Sequence, residues 1–273
     1  MKAFVFVLWA MLLLSGCGIS RTSDPLPSDS IAADTTVADS LPSDTTMITP
    51  PKKADGLFDD FIYSFMRNPK FQSGRIKFPL TVTRNGKVVQ MDRKAWRYDR
   101  LFLKEDVYTV IFDSEASSKA EKDTSLDSVM VEWVYLSQHR VKQYAFHRLE
   151  GEWYLTAINE HPVSANVNSD FYEFYNRFSS QADYQMKHVK NPLKFKTYDE
   201  DNFQPIEGIL DVQQWPDFRP ELPKGVITNI NYGQHYADSR RRVLMICTPS
   251  GGMGCSLTFE KGSKGWMLTK YVN

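Results

Sequence analysis

The sequence lacks the excess positive charge of a nucleic-acid-binding protein. Among its 273 residues, 33 Lys and Arg balance 33 Asp and Glu, so the formal net charge at pH 7 is zero. Proteins that bind nucleic acid usually carry a basic patch or stripe that neutralises phosphates. We therefore predict that nucleic acid is not a partner of this chain.

Motifs for metals, cofactors and serine nucleophiles are also missing. The three cysteines form no Cys-x-x-Cys pair, and the five histidines show no ligand spacing such as His-x-x-x-His. No Gly-x-Ser-x-Gly elbow is present to hold a serine nucleophile. The sequence predicts no metal and no cofactor, which leaves general acid–base catalysis as the enzyme class to weigh.

Long apolar runs are absent except for one at the N-terminus. Lys2 precedes an apolar stretch at 3–14, which is too short to cross a bilayer core of roughly 30 Å as a permanent helix. Small residues follow, which is the order of a secretory signal. Residues 14–17, Leu-Ser-Gly-Cys, resemble the bacterial lipobox. The resemblance implies that 1–17 is a lipoprotein signal peptide and that Cys17 carries the lipid; the alternative is an ordinary signal with a chance cysteine.

Residues 18–54 have the composition of a disordered stalk. Residues 18–51 contain no aromatic side chain, and Ser, Thr and Pro supply 17 of these 34 positions. Such a segment cannot bury enough apolar surface to offset its ordering entropy. Asp-(Ser/Thr) triplets recur every five residues and resemble the acceptor motif of periplasmic O-glycosylation; the alternative is a drifting low-complexity repeat. The resemblance implies O-glycans on Ser30, Thr35, Ser40 and Thr45.

The rest of the chain repeats itself at an interval of 113 residues. Near the start of each copy, Phe58, Phe61, Phe65, Gln72, Lys77, Pro79 and Leu80 recur as Phe171, Phe174, Phe178, Gln185, Lys190, Pro192 and Leu193. Near the end, Phe146, Trp153, Leu155 and Thr156 recur as Phe259, Trp266, Leu268 and Thr269. Agreement at both ends without a net gap indicates an internal duplication. We expect two units, at 55–162 and 165–273.

Each unit is expected to begin with helices and to end with strands. Phe58, Phe61, Ile62 and Phe65 fall at i, i+3, i+4 and i+7 and predict a core-facing helix, and the same spacing recurs from Phe171. Second helices are predicted around 91–102 and 206–214. Runs rich in Val, Tyr, Phe, Trp and Ile predict strands at 106–113, 128–136, 140–149, 152–159, 226–232, 242–248, 255–260 and 266–272. This order favours an α+β fold with helices packed on one face of a curved antiparallel sheet.

The order of elements resembles the nuclear-transport-factor-two-like (NTF2-like) fold of the cystatin-like α+β group. With the lipobox and the stalk, the whole of residues 1–273 resembles an uncharacterised family of bacterial lipoproteins built from tandem copies of this fold. The resemblance implies anchoring in the cell envelope through the N-terminal lipid. The outer membrane is favoured over the inner one, with the globular part in the periplasm or at the cell surface. It assigns no activity.

Three residues form the only acid–base candidate that the sequence offers. Enzymes of this fold place an Asp or His in a cone between sheet and helices. Tyr144 and His147 lie on a predicted central strand and Asp99 on the preceding predicted helix, so that Asp99 would orient His147 as a base. In the second copy Glu260 and Val212 stand at the positions of His147 and Asp99. We therefore favour a non-catalytic module that binds an unknown envelope ligand or protein; the alternatives are an isomerase- or dehydratase-like enzyme using the first cone, and a purely structural protein.

A disulfide is predicted between the two C-terminal cysteines. Cys247 and Cys255 flank a Gly-rich stretch that is typical of a hairpin turn. A register symmetric about Gly251 would place them opposite each other, with Cα atoms about 4.5 Å apart, which a disulfide tolerates. An oxidising envelope compartment favours the bond. The alternative is two free thiols on the hairpin.

Overall fold

The computed structural model describes residues 54–199, 204–249 and 252–273. The predicted signal peptide, nearly all of the stalk, and the modification candidates Cys17, Ser30, Thr35, Ser40 and Thr45 lie outside these ranges. Within them, no helix has the length and apolar character needed to cross a bilayer.

The described residues form five short α-helices and twelve strands. In the first half these are α1 (Phe58–Arg67), α2 (Pro69–Gly74), β1 (Ile76–Arg84), β2 (Lys87–Met91), β3 (Tyr108–Phe112), β4 (Ser128–Tyr135), β5 (Arg140–Leu149) and β6 (Glu152–Pro162). In the second half they are α3 (Ser169–Ser180), α4 (Ala182–Lys187), β7 (Val189–Asp199), β8 (Gln204–Leu210), α5 (Trp215–Phe218), β9 (Val226–Asn231), β10 (Arg241–Thr248), β11 (Gly252–Gly262) and β12 (Gly265–Val272). The expectation of an α+β fold is confirmed.

The strands form two six-stranded sheets. Each sheet contains one strand from the other half of the chain: β9 lies in the first sheet and β3 in the second. The first sheet has the order β2-β1-β6-β5-β4-β9, and the second has the order β3-β10-β11-β12-β7-β8. Both sheets are mixed, because β1 pairs parallel with β6 and β7 pairs parallel with β12. The expectation of purely antiparallel sheets was therefore wrong. It overlooked β1 and β7, which follow the helices directly.

The aromatic stripe of α1 is buried, as its spacing predicts. Phe58 and Phe65 are each about 1% exposed. Their rings meet Trp153 of β6 and Phe146 of β5 edge-on, with centroid distances of 5.1 and 5.3 Å. Phe171 of α3 meets Trp266 in the same way at 5.2 Å. Edge-to-face pairs of this kind add to the energy gained from burying the rings.

The predicted helix at 91–102 is absent. Residues 87–91 instead form β2, which joins β1 through Asn85 and Gly86, both with positive φ. Two positive-φ residues between paired strands make the tight turn that matches the twist of a hairpin. Only short 3-10 turns follow, at Arg93–Ala95 and Leu101–Lys104. The predicted helix at 206–214 is also wrong, because this range contains β8 and a 3-10 turn at Val212–Gln214.

A buried ion pair fixes the start of the described part of the chain. Asp55 is fully buried, and its two carboxylate oxygens accept hydrogen bonds from the Arg75 guanidinium at 2.7 and 2.8 Å. Asp55 also accepts the backbone N–H of Trp153 at 3.0 Å. Such a bidentate ion pair is strong and directional. It holds the segment before α1 against α2 and β6.

Candidate functional site

A cavity of about 420 Å³ lies between α1 and the strands β3, β9 and β10. Small-molecule sites in proteins span about 300–1,000 Å³. Apolar side chains such as Ile62, Val110 and Ile230 form part of its wall. Its polar groups come from α1, β3, β10, the 3-10 segment Ala116–Lys122 and the loop after β9. We call this space the α1 cavity.

Helix α1 presents a carboxyl group to the α1 cavity from its first turn. The buried stripe of α1 faces the core, which leaves Asp59 at its margin, half-buried. The hydroxyl of Tyr232, just after β9, donates a hydrogen bond to Asp59 Oδ1 at 2.7 Å. Burial raises the pKa of Asp59, the Tyr232 hydrogen bond opposes this effect, and the neighbouring Asp60 adds to it. The hydrogen bond from Tyr232 therefore only partly offsets the cost of burying the charged form of Asp59.

A second carboxyl group enters the α1 cavity from the 3-10 segment Ala116–Lys122. Burial raises the pKa of Glu121, and the negative charge of Asp59 raises it further, while Lys122 opposes both. Two carboxylates that act on each other in this way disfavour simultaneous ionisation. Among the described residues that line the α1 cavity there is no Lys, Arg or His. The site is therefore acidic, with no cationic side chain in its wall.

A tyrosine and a cysteine complete the polar lining. Tyr108 of β3 lies opposite Cys247 of β10 in the strand pairing, and its ring stacks on Phe102 at a centroid distance of 4.5 Å. Burial raises the pKa of both groups, that of Cys247 to about 12. Because the thiolate is the nucleophile, Cys247 is not an activated nucleophile at neutral pH.

The predicted Cys247–Cys255 disulfide is not formed, and both cysteines are free and buried. The pairing of β10 with β11 contains an irregularity, so that Cys255 lies opposite Ile246 while Cys247 lies opposite Met253. Adjacent residues of a strand point to opposite faces. Cys255 therefore shares the face of Ile246, in the core of the second half, while Cys247 faces the α1 cavity. The assumption of a register symmetric about Gly251 was the error.

The predicted His147–Asp99 dyad is also not formed. Asp99 lies between two 3-10 turns, and its Oδ2 accepts a hydrogen bond from the hydroxyl of Tyr144 at 2.6 Å. His147 is exposed, and its Nδ1 lies 2.7 Å from Thr156 Oγ1. Tyr144 is buried in the core of the first half, whereas His147 points away from it. None of these three residues lines the α1 cavity.

In the second half, a tyrosine stands at the position that corresponds to Asp59. Tyr172 stands 113 residues after Asp59 and is fully buried. Its hydroxyl donates to Oε2 of Glu132 at 3.3 Å, and Asn229 donates to the same oxygen at 2.9 Å. Glu132 in turn precedes Met245, a lining residue of the α1 cavity, by the same interval. The two halves thus differ at the point where the first has a cavity.

The described residues bring no group of three or more His, Cys, Asp or Glu side chains together where a metal ion would be held. Sequence reasoning also missed the acidic site itself. Asp59, Tyr108, Glu121 and Tyr232 belong to no motif, and only the fold brings them together. The sequence held one signal. Helices α1 and α3 share their aromatic stripe, but α1 has Asp59 where α3 has Tyr172.

The two mixed sheets and the short helices define a protein of the NTF2-like class. An NTF2-like protein from Bacteroides fragilis NCTC 9343, known from a crystal structure at 2.15 Å resolution, is similar to this chain with 39% identity and a TM-score of 0.75. The match covers 81% of this chain and 97% of that one. The expectation of this fold is confirmed.

The family itself follows from a second comparison. A family model described as a domain of unknown function, DUF4348, matches residues 37–273. The chain belongs to this family. No curated protein matches the chain.

Proposed function

We propose that the chain is a lipid-anchored protein of the cell envelope whose globular part binds a small ligand in the α1 cavity. One observation carries the binding function: a half-enclosed cavity of about 420 Å³ with apolar walls, into which Asp59 and Glu121 converge. Apolar walls with a few converging polar groups are the usual composition of a ligand site.

Labelled methionine methyl groups test the binding function directly. Met66 and Met245 line the α1 cavity, whereas Met186 packs against the core of the second half. A fragment library screened by NMR against the chain should contain compounds that shift the methyl signals of Met66 and Met245 and leave that of Met186 unchanged. Shifts confined to other methionines, or none at all, would argue against this site.

The anchor and the stalk belong to the same proposal. The lipobox ending in Cys17 supports anchoring, and the Asp-(Ser/Thr) triplets support O-glycans on Ser30, Thr35, Ser40 and Thr45. Metabolic labelling with an alkyne-bearing fatty acid in the native host should label the chain, and Cys17→Ser should abolish the label. Intact-mass analysis of the same material would show the glycans, and an unmodified stalk would rule them out.

We also propose that residues 55–162 and 165–273 are two copies of one NTF2-like unit. Their buried glutamines support this. Gln72 donates to the carbonyl of Phe65 at 3.0 Å and accepts from the indole of Trp96 at 3.1 Å. In the second half, Gln185 makes the same two hydrogen bonds, to the carbonyl of Phe178 at 2.9 Å and from the indole of Trp215 at 3.0 Å.

An acid–base enzyme using the same cavity is the second candidate. A partly buried carboxyl group with a raised pKa, hydrogen-bonded to a tyrosine, is the type of group that abstracts a proton next to a carbonyl, and Asp59 with Tyr232 provides it. Exchange of α-hydrogens of small carbonyl compounds in D₂O, followed by NMR, tests this function. Exchange by the wild type that Asp59→Asn abolishes would make the protein an enzyme.

A further inference from the structure

The charge of the α1 cavity restricts what it can bind. Three carboxyl groups, those of Asp59, Asp60 and Glu121, line it, and no cationic side chain is found among its described lining residues. An anionic ligand would meet the like charge of these three groups, and like charges repel strongly where water is partly excluded. A cation near Asp59 and Glu121 would instead relieve the repulsion between them. The charge pattern therefore favours a positively charged ligand.

The aromatic lining favours an organic cation over a metal ion. The rings of Phe102, Tyr108 and Tyr232 belong to the wall of the α1 cavity, while the ring of Tyr63, also in the wall, already carries the Arg67 guanidinium at 4.6 Å from its centroid. Ring faces attract ammonium groups, and the attraction grows when the cation leaves water. Hard metal ions need several oxygen ligands in a fixed geometry, and the described residues offer no group of three His, Cys, Asp or Glu to hold one.

The remaining wall indicates the shape of the ligand beyond its charge. Ile62, Met66, Val110, Ile230 and Met245 supply an apolar surface beside the acidic groups. Burying an apolar body against such a surface contributes to binding in proportion to the area removed from water. A compact, strongly hydrated cation would leave this part of the α1 cavity unused.

We infer that the ligand of the α1 cavity is a small organic ammonium ion with an apolar or aromatic body, its nitrogen held near Asp59 and Glu121. The inference rests on the proposed binding function and adds the class of ligand. It also assigns roles: the two carboxyl groups select the charge, Tyr108 and Tyr232 stand beside the ammonium group, and the apolar wall takes the body.

Three probes that share a phenyl group but differ in charge test the ligand class. They are 2-phenylethylammonium, the neutral 2-phenylethanol and the anionic phenylacetate. Titrated into the full-length chain at neutral pH, the ammonium ion should bind with a Kd at least about tenfold lower than the alcohol, and phenylacetate should show no saturable binding. Calorimetry gives the affinities, and the methyl signals of Met66 and Met245 show whether the α1 cavity is occupied.

Two isosteric variants connect the binding to the carboxyl groups. Asp59→Asn and Glu121→Gln should each weaken binding of the ammonium probe by about tenfold while leaving binding of the alcohol unchanged. Glu173→Gln, on the exposed side of α3, is the matched control and should change neither. Circular dichroism and thermal unfolding would confirm that each variant is folded.

The outcomes separate the ligand class from the binding function. Tighter binding of the alcohol or of phenylacetate in the α1 cavity would overturn the inferred class and leave the binding function standing. So would ammonium binding that neither Asp59→Asn nor Glu121→Gln weakens. Failure of all three probes at millimolar concentration, together with a fragment library that never shifts Met66 or Met245, would overturn both.

Discussion

Thr109 and Thr228 join the two sheets through a reciprocal set of hydrogen bonds. The backbone N–H of Thr109 donates to the hydroxyl of Thr228 at 2.7 Å, and that hydroxyl donates to the carbonyl of Thr109 at 2.9 Å. The N–H of Thr228 donates in the same way to the hydroxyl of Thr109, which donates to the carbonyl of Thr228. Both residues are almost fully buried. Each threonine lies on the strand that its half contributes to the other sheet, so that the edges of the two sheets protect each other.

Replacing either hydroxyl by a methyl group should therefore weaken the whole fold. Thr228→Val keeps the shape of the side chain but leaves the N–H and carbonyl of Thr109 without these partners in a buried place. We expect a loss of about 1–3 kcal/mol in the free energy of unfolding, measured by urea denaturation. Thr109→Val should lower the free energy of unfolding by a similar amount. Thr83→Val, at a half-buried position of β1, is the control and should change the free energy by less than about 0.5 kcal/mol.

The buried pair of Asp55 and Arg75 gives a second stability prediction. Asp55→Ala would leave the Arg75 guanidinium buried with Glu152 as its remaining carboxylate, 3.4 Å away. Removing one partner of a buried pair costs about 3–5 kcal/mol, because the other charge stays uncompensated. Since Glu152 remains, we expect a loss near the lower end, about 3 kcal/mol, in urea denaturation.

A surface pair provides the control for Asp55→Ala. Arg241 and Glu260 also form a close ion pair, but both side chains are more than 40% exposed. Exposed pairs contribute about 0–1 kcal/mol, so that Glu260→Gln should have little effect. Equal effects of the two substitutions would mean that the Asp55–Arg75 pair does not anchor the N-terminal segment.

Sequence periodicity predicted the elements whose side chains are buried on one face. The aromatic stripes of α1 and α3 and the eight runs rich in β-branched and aromatic residues all lie where helices and strands occur. Of the missed strands, β2 and β8 lack that signal, whereas β1 carries it, with Ile76, Leu80 and Val82 buried on one face. β8 is exposed at six of its seven positions, and β1 contains Pro79, which argues against a strand.

The α1 cavity could not be predicted from one sequence for a different reason. Its polar groups come from α1, a 3-10 segment, β3, β10 and the residue just after β9, and β9 and β10 belong to the half of the chain that α1 does not. The exchange of β3 and β9 between the sheets has no local sequence signal. Helix periodicity placed Asp59 beside the stripe of α1, but only the exchanged β9 brings Tyr232 to it.

The pH dependence of stability should reveal the half-buried carboxyl group of Asp59. Burial raises its pKa above the ordinary value of 3.8, and the groups that face it (Tyr232, Asp60, Glu121 and Tyr108) supply no positive charge. Stability is therefore lost as the pH rises from the ordinary pKa through the raised one. Asp59→Asn should remove this loss. We expect the variant to be more stable than the wild type at neutral pH and equally stable well below the ordinary pKa.

A control with the opposite sign lies at the start of α3. Asp170 is held by Lys261 and by the indole of Trp266, and although burial opposes them these contacts lower its pKa. Stability from Asp170 is therefore present at neutral pH and is lost as the pH falls through the lowered pKa. Asp170→Asn should destabilise the protein at neutral pH, with an effect that fades in acid. Thermal unfolding across the pH range checks both variants, and parallel profiles for the two would contradict the assignment for Asp59.

Alkylation without a reductant can show whether Cys247 and Cys255 are free thiols or form a disulfide. Because Cys247 and Cys255 face opposite sides of the β10–β11 pair, no disulfide should link them even after purification from an oxidising compartment. Iodoacetamide added to denatured, unreduced protein should alkylate both, as peptide mass spectrometry would show. In the folded protein both should resist alkylation, since burial raises their pKa values to about 12 and about 11 and the thiolate is the reactive form. A peptide pair recovered as a disulfide would mean that the strands pair in the symmetric register instead.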